Sequence, residues 1–388
     1  MRILIVTGIY EPESGGPAMY APKIAEKLSE AGHRVSVITY SQKEKYDFDA
    51  RHTFTLKRIV RGNKVLNRAR MFLAVFRAAR DADIIYMLDW FAAGFPAAFA
   101  GLLRRVPYVV RVGGDYLWEQ RYLESDAPPV SLEDFYERGL YRWVSFAPFF
   151  WVIRFVLSRA RTVIFNSDKQ GELYRKFYGL KRVAAIYNPV PKIGKEGLAR
   201  GPSTGPATTG GVITKELVFW GRFIVMKNLT TLVRAFAKAQ LPEGYMLLLI
   251  GDGPRKAEVA QLVQELGLGA RVTIQGSMRL HDVLERVKNC RAFILPSWTD
   301  ISPNQVYEAL AIGLPAVVTK ENYLSIRDRL PEMIDPASVA DIASKLEMLA
   351  DDVRYKKFAE LFSSIKFNND WEDVVEKHLE IFTEIVNT

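Results

Sequence analysis

The sequence contains little of what disulfide frameworks and metal centres are built from. It has one cysteine, Cys290, and four histidines scattered along 388 residues. A lone cysteine excludes an intrachain disulfide framework and is typical of a reducing compartment. A metal site built from a Cys/His set is excluded for the same reason. We therefore expect no metal and no cofactor.

Long apolar runs are missing too. No window reaches the eighteen or more apolar residues that a membrane-spanning helix needs, and the nearest, residues 143–157, contains Pro148 and Arg154. The first twelve residues lack the long apolar core and the small-residue cleavage site of a signal peptide. We predict a cytoplasmic protein that does not cross the membrane.

Acidic residues are scarce in parts of the first half of the chain. Residues 1–190 contain 29 Lys/Arg against 19 Asp/Glu, a net charge of +10, whereas the whole chain has +9. Residues 64–80 and 138–161 contain no acid and combine cations with Phe, Trp and Leu. Such segments are expected on surfaces that contact anionic lipid. Charge alone also allows nucleic acid, but no nucleic-acid motif accompanies it, so we expect no such partner.

The chain is too long for one ordinary core and shows two series of alternating strands and helices. The first opens with a buried strand at residues 2–7 and continues through Gly15 and Gly16 into a helix. The second begins near Glu216. Between them, residues 191–214 contain six Gly and three Pro, which is typical of a flexible linker. We predict domains at 1–190 and 215–368, and a terminal helix at 369–388 that packs on the first domain.

Two carboxylates mark the most informative stretch, residues 290–320. Asp300 lies in a loop after a short buried strand, and Glu308 lies about one turn into the following helix. In an open α/β sheet, ligands bind at the carboxyl ends of strands. Carboxylates there can accept hydrogen bonds from sugar hydroxyls, and the helix N-terminus offers N–H groups to phosphate.

A pair of cations follows the first strand of the second series. Gly221 and Arg222 end that strand, and Lys227 comes just before an amphipathic helix. An Arg fork, a Lys point charge and a helix dipole together are suited to hold a diphosphate. The alternative is that both cations are merely solvated surface residues.

These residues together resemble the retaining glycosyltransferases of GT-B family 4, in which an acidic residue, seven residues, Glu-Ala and Gly-x-Pro follow one another. The match is Asp300, Glu308-Ala309 and Gly313-Leu314-Pro315, preceded by the Gly-Arg…Lys pattern. The sequence departs from the pattern in having Asp at the first acidic position. It also lacks the Gly-Gly-x-x-Glu segment expected after Lys320.

The resemblance implies an α/β protein of GT-B fold, with two doubly wound Rossmann-like domains facing across a cleft. It implies a hexosyltransferase that moves sugar from a nucleoside-diphosphate sugar to a glycan or lipid-linked acceptor at the inner membrane face, with retention and without metal. Asp-x-Asp, the metal-holding motif of another glycosyltransferase fold, occurs only at 47–49 and 81–83, where no metal site is expected.

The resemblance also assigns roles to residues. The implied catalytic residues are Arg222, Lys227 and Asp300, with Asp115 as the polar candidate where many members have a His; a capping role for Asp115 is about as well supported. Glu308 is expected to hold the ribose. The other implied donor-binding residues are Gly15, Gly16, Gly221, Gly253, Gly276, Ser277, Ser302 and Asn304.

Two other functions stay open. A GT-B epimerase would bind the same nucleotide sugars without an acceptor. A non-catalytic nucleotide-sugar binder would fit the missing His and the missing Gly-Gly-x-x-Glu segment.

Overall fold

The computed structural model describes residues 1–13, 15–123, 129–143, 145–191 and 213–388. The predicted linker at 191–214 lies almost entirely outside the described residues. The described residues divide into two compact units. The first comprises residues 1–117, 136–188 and 369–388, and the second comprises 118–135 and 189–368.

The first unit is built on a parallel sheet of seven strands in the order β3-β2-β1-β4-β5-β6-β7. Strand interiors such as Ile3–Val6 are buried on both faces, because helices cover both sides of the sheet. The strands are β1 (Arg2–Thr7), β2 (Arg34–Ser41), β3 (Thr55–Val60), β4 (Ile84–Met87), β5 (Tyr108–Val112), β6 (Thr162–Phe165) and β7 (Val183–Ala185).

Helices connect these strands in the doubly wound pattern. They are α1 (Gly16–Glu30), α2 (Lys64–Ala78), α3 (Gly94–Arg104), α4 (Tyr116–Tyr122), α5 (Leu132–Glu137), α6 (Ala147–Arg159) and α7 (Asp168–Tyr178). Residues 118–135, which include most of α4, belong to the second unit rather than to the predicted first domain. Within that segment the indole N–H of Trp118 donates to the carbonyl of Val130 at 2.8 Å.

The second unit has a parallel sheet of six described strands in the order β10-β9-β8-β11-β12-β13. The strands are β8 (Glu216–Trp220), β9 (Met246–Ile250), β10 (Val272–Gln275), β11 (Ala292–Leu295), β12 (Ala316–Thr319) and β13 (Met333–Ile334). The helices are α8 (Leu229–Lys238), α9 (Lys256–Glu265), α10 (Leu280–Val287), α11 (Asn304–Ala311), α12 (Val339–Ala350) and α13 (Asp352–Ser363). The predicted α/β class with two doubly wound sheets is confirmed.

Strand order reverses once in each sheet, between β1 and β4 in the first and between β8 and β11 in the second. At such a switch point the connections leave in opposite directions and open a crevice at the carboxyl ends of the strands. The fold therefore supplies one ligand-binding edge in each unit. No helix within the described ranges is both long and apolar enough to span a membrane.

The last helix, α14 (Trp371–Val386), belongs to the first unit and covers its sheet. Its Val374, Phe382 and Ile385 join the core formed with α1 and β1. His378 is fully buried; its Nε2 lies 2.8 Å from the hydroxyl of Tyr86, and its Nδ1 lies 2.6 Å from the carbonyl of Val374. Burial, helped by the charge of Arg111, lowers the pKa of His378 to about 3.

This histidine should make the stability of the first unit depend on pH. Because the pKa of His378 is lower in the folded state than in the unfolded chain, its stabilising contribution to the free energy of unfolding is fully present above pH 6.5. It is lost as the pH falls from 6.5 towards 3. Between about pH 6.5 and pH 5, His378 should remove up to about 1.4 kcal/mol of the free energy of unfolding per pH unit.

Urea unfolding of the wild type and of His378→Gln across that range checks the contribution. The variant should lose less stability on acidification, since Gln does not titrate. His281→Gln, which changes an exposed histidine, is the control and should leave the pH slope unchanged. A slope in His378→Gln equal to that of the wild type would contradict the assignment.

Candidate functional site

The second unit gathers its chemistry at the carboxyl ends of β8 and β11, the two strands that flank its switch point. Gly221 and Arg222 follow β8, and the loop that carries Asp300 follows β11. Helix α11, which carries Glu308, begins directly after that loop. The predicted residues thus share one edge of one sheet.

Two turns at this edge accept only glycine. Gly221 has a φ of 146°, and a Cβ there would lie 2.9 Å from Nε2 of Gln305. Gly253 follows β9 with a φ of 154°, and a Cβ there would lie 2.9 Å from the backbone nitrogen of Phe223. Side chains are excluded by both the left-handed backbone and the close contacts. The glycines therefore bring the backbone of the loops close together.

Lys227 and Asp300 form an ion pair, although 73 positions separate them. Their side chains are only 12% and 10% exposed, and Ser297 Oγ donates a second hydrogen bond to Asp300 at 3.0 Å. A buried charge is tolerated when it is paired and hydrogen-bonded. The pair therefore keeps a cation and a carboxylate at the sheet edge without a net charge.

Glu308 is held by a residue that the sequence did not single out. The indole N–H of Trp220, the last residue of β8, donates to Oε2 of Glu308 at 2.7 Å. Trp220 itself is buried, with its ring 4.0 Å from that of Phe293 between centroids. Burial raises the pKa of Glu308, while the Trp220 hydrogen bond and the charge of Lys227 oppose the rise. Trp220 thus fixes the carboxylate and favours its charged form.

Arg222 is exposed and forms no ion pair with any described residue. It is therefore a cation at the carboxyl end of β8 that an anionic ligand can reach. Nearby, the exposed Ser277 donates its backbone N–H to Asp252 at 2.6 Å, and Gly276 precedes it. Lys256, 2.5 Å from Asp252, lowers the pKa of that carboxyl.

The start of α11 contains the other predicted donor-binding residues. Asn304 is exposed at the first helical position, Ser302 is partly buried, and Pro303 stands between them without an N–H. The backbone N–H of Asn304 donates to the carbonyl of Ser302 at 2.9 Å. The first turn of α11 therefore starts beside Asp300, as the spacing predicts.

The first unit holds the remaining predicted residues. Gly15 precedes α1 and Gly16 begins it. Asp115 is 1% exposed, and its Oδ2 accepts hydrogen bonds from Tyr136 at 2.5 Å and Tyr174 at 2.6 Å. Two tyrosines therefore hold one oxygen of this buried carboxylate, as a structural role would require, and the catalytic role of Asp115 stays a prediction.

Trp220 and Ser297, which donate hydrogen bonds to Glu308 and Asp300, were not predicted from the sequence. Trp220 reads as an ordinary apolar strand residue, and its N–H acts only once α11 folds back against β8. Ser297 lies in a Pro-Ser break three positions before Asp300. That spacing, typical of a local side-chain hydrogen bond, was the one signal available.

Comparison with known families identifies the family of this chain. The family described as Glycosyl transferases group 1 matches residues 213–354, and a glycosyl transferase 4-like domain matches residues 15–190. Together the two matches cover most of the chain. The chain belongs to the group 1 glycosyltransferases. The protein is therefore an enzyme of a sugar-transferring family. The predicted membership of glycosyltransferase family 4 is confirmed.

Relatives of this glycosyltransferase include eukaryotic and bacterial enzymes. The GPI3 subunit of the phosphatidylinositol N-acetylglucosaminyltransferase of Saccharomyces cerevisiae is 23% identical over 406 aligned positions, which span 100% of this chain and 84% of that protein. The N-acetyl-alpha-D-glucosaminyl L-malate synthase of Bacillus anthracis is 28% identical over 152 residues, which span 38% of this chain and 39% of the relative.

Solved structures share the GT-B fold of this glycosyltransferase. HepE of Anabaena in complex with UDP superposes with a TM-score of 0.72 at 18% identity, covering 99% of this chain and 100% of that one. WaaG, a glycosyltransferase involved in lipopolysaccharide biosynthesis, superposes with a TM-score of 0.69 at 18% identity, covering 98% and 99% of the two chains. At these identities the likeness concerns the fold, and the roles of individual residues stay predictions.

The burial of Glu308 should cost the second unit stability. Burial raises the pKa of Glu308 in the folded protein above that of a glutamate in the unfolded chain. The free energy of unfolding therefore falls as the pH rises from the unfolded pKa to the folded pKa, and it stays lower at higher pH, where the buried carboxyl group is ionised. Glu308→Gln, which can still accept from Trp220, should raise the free energy of unfolding at neutral pH by on the order of 1 kcal/mol.

Thermal unfolding at neutral pH and at about pH 4 measures this effect. The gain should shrink at the lower pH, where Glu308 is protonated. Glu243→Gln, an exposed glutamate of the same unit, is the control and should change little. A neutral-pH destabilisation by Glu308→Gln would contradict the assignment.

Proposed function

We propose that the protein is a retaining glycosyltransferase that moves a hexose-type sugar from a nucleoside-diphosphate sugar to a glycan or lipid-linked acceptor at the inner face of the cell membrane. The observation that carries the proposal is the meeting of Lys227, Asp300 and the Trp220–Glu308 pair at the switch point of the second unit. Arg222, in the loop after β8, adds an exposed cation that forms no ion pair with the part of the chain that the structure describes.

The charges suit a diphosphate leaving group. In the proposed step the bond between the anomeric carbon and the diphosphate oxygen breaks, and a bond to an acceptor hydroxyl oxygen forms on the same face. The acceptor proton passes to the departing diphosphate, so no protein base is needed. Arg222 and Lys227 stabilise the developing negative charge, Asp300 orients sugar hydroxyls, and Glu308 accepts from the ribose.

The comparisons suggest which donor to test first. HepE of Anabaena was solved with UDP and with UDP-glucose, and two relatives are named for N-acetylglucosaminyl transfer. We therefore propose a UDP-sugar, with UDP-glucose and UDP-N-acetylglucosamine as the first candidates. No metal is required in the proposed step, so transfer should persist in the presence of a chelator.

The proposed membrane contact is supported by the surface of the first unit. Leu73 of α2 and Trp151 of α6 are 47% and 60% exposed, and Phe99 of α3, between the two helices, is 48% exposed. The guanidinium of Arg154 lies 5.2 Å from the ring of Trp151. Exposed apolar side chains beside arginines suit an anionic lipid surface.

Lys227→Ala tests the phosphate clamp. Loss of one charge on the leaving group should lower kcat by about 100-fold or more. Sugar transfer from each UDP-sugar to a membrane extract is measured with and without chelator, and the anomeric configuration of the product is read by NMR. Lys238→Ala, an exposed lysine at the end of α8, is the matched control.

Removal of Lys227 also leaves Asp300 as an unpaired buried charge, which destabilises proteins. The double variant Lys227→Ala/Asp300→Asn removes both charges and separates misfolding from lost chemistry. It should fold like the wild type and remain inactive. Wild-type turnover in either variant would refute the clamp, and sugar release without an acceptor would favour another activity.

Leu73→Ser/Trp151→Ser tests the membrane contact. Partition of the full chain onto vesicles containing phosphatidylglycerol should fall by about tenfold or more, since two apolar side chains no longer enter the lipid. Val353→Ser, which changes a residue 82% exposed in the second unit, is the control. Equal binding of all three proteins, or binding that persists at high salt on neutral vesicles, would contradict the proposal.

A further inference from the structure

The first unit carries an aromatic cluster that lies outside the predicted site. It consists of Trp90, Phe91, Tyr116 and Phe149, all partly exposed. The ring of Tyr116 lies edge-on to Trp90 at 5.5 Å and stacks with Phe91 at 5.6 Å, and Phe149 lies 5.2 Å from Phe91. By contrast, the neighbouring tyrosines Tyr136 and Tyr174 are buried. The cluster is therefore partly accessible to solvent.

The cluster stands at the switch point of the first sheet. Trp90 and Phe91 follow β4, which pairs with β1 there, and Tyr116 follows β5. Ligands of doubly wound sheets bind at this edge. The position of the rings is the first sign that they contact a ligand.

A turn fixed by Asp89 holds the two leading rings in place. The carboxylate accepts the backbone N–H of Phe91 at 2.5 Å, of Ala92 at 2.9 Å and of Ala93 at 3.3 Å. The turn is thereby hydrogen-bonded to one side chain at three successive residues. Rings mounted on such a turn lose little conformational entropy when a ligand binds.

A cation completes the cluster. The guanidinium of Arg68, on α2, lies 5.1 Å from the ring centroid of Phe91. Arg68 is exposed and forms no ion pair with any residue that the structure describes, and the nearby carboxylate of Asp89 already accepts three backbone N–H groups. An arginine that lies over an aromatic face and pairs with no acid among the described residues is suited to bind a phosphate.

We infer that this cluster, the Arg68 platform (Arg68, Trp90, Phe91, Tyr116 and Phe149), is a binding site for an acceptor whose saturated sugar or polyol ring carries a phosphate group. The C–H face of the ring lies against the electron-rich aromatic faces, and the phosphate pairs with Arg68. The inference rests on the proposed function, in which the first unit receives the acceptor. Neither aromatic rings nor an arginine alone would select this class of compound.

Equilibrium binding to the full chain tests the platform without any need for catalysis. The probes are glucose 1-phosphate, inorganic phosphate and glucose, measured by ligand-observed NMR. Glucose 1-phosphate should bind more tightly than either fragment. Arg68→Gln should weaken it by about tenfold, and Trp90→Leu/Tyr116→Leu should do the same.

Arg70→Gln is the matched control, because it removes an exposed arginine from the same helix two positions away. It should leave binding unchanged. UDP binding, read as a thermal shift, should be equal in all variants, so loss of the platform is distinguished from loss of the donor site. If no sugar transfer is detected but glucose 1-phosphate binding depends on Arg68, the result supports the binding site and contradicts the proposed function.

Three outcomes would overturn the inference: no binding of glucose 1-phosphate at millimolar concentration, equal weakening by Arg70→Gln, or no effect of the ring variants. Vesicles then distinguish the source of the ring phosphate. Arg68-dependent preference for phosphatidylinositol over phosphatidylserine vesicles would support a lipid headgroup as acceptor. Binding of free glucose 1-phosphate without that preference would support a soluble or glycan-borne sugar phosphate.

Discussion

The constraint on which the site depends is the cost of burying charge. Lys227 and Asp300 are both nearly buried, and each is tolerable there because the other neutralises it and Ser297 adds a hydrogen bond. Glu308 forms no ion pair with any described residue; burial disfavours its charged form, and the hydrogen bond from Trp220 and the charge of Lys227 favour it. The site therefore contains one neutralised ion pair and one buried carboxyl group whose ionisation is opposed by its burial.

Parallel sheets with a single reversal of strand order explain why the functional groups gather where they do. In each unit the reversal opens one crevice at the carboxyl ends of two adjacent strands. The second unit places its cations and carboxylates there, whereas the first places aromatic rings and Arg68 there. Charged groups suit a diphosphate donor, and aromatic rings with an arginine suit a ring-bearing acceptor. We therefore propose that the second unit binds the donor and the first unit binds the acceptor.

Much of this arrangement could be predicted from the chain. Continuous apolar runs indicated the buried parallel strands, and the spacing of Asp300, Glu308 and the glycine-proline stop placed a helix start beside a strand end. Lys227 and Arg222 were found because each lies close in sequence to β8. Asp115 shows the limit of such reasoning, because its position after β5 does not reveal that it is buried beneath two tyrosines. The hydroxyls of Tyr136 and Tyr174, which enclose it, come from 21 and 59 positions further along the chain.

The sequence by itself determined the local elements, the two doubly wound series, the absence of a disulfide framework and the identity of the residues that carry charge. Hydrophobic periodicity and turn chemistry act over short distances, so they can be read without a structure. Only the tertiary structure decided that Lys227 pairs with Asp300, that Trp220 donates to Glu308, and that Arg68 lies against the ring of Phe91. The first two contacts join residues 73 and 88 positions apart, and the third joins helix α2 to the loop after β4. Their geometry is set by how helices pack on a sheet, and no local pattern records it.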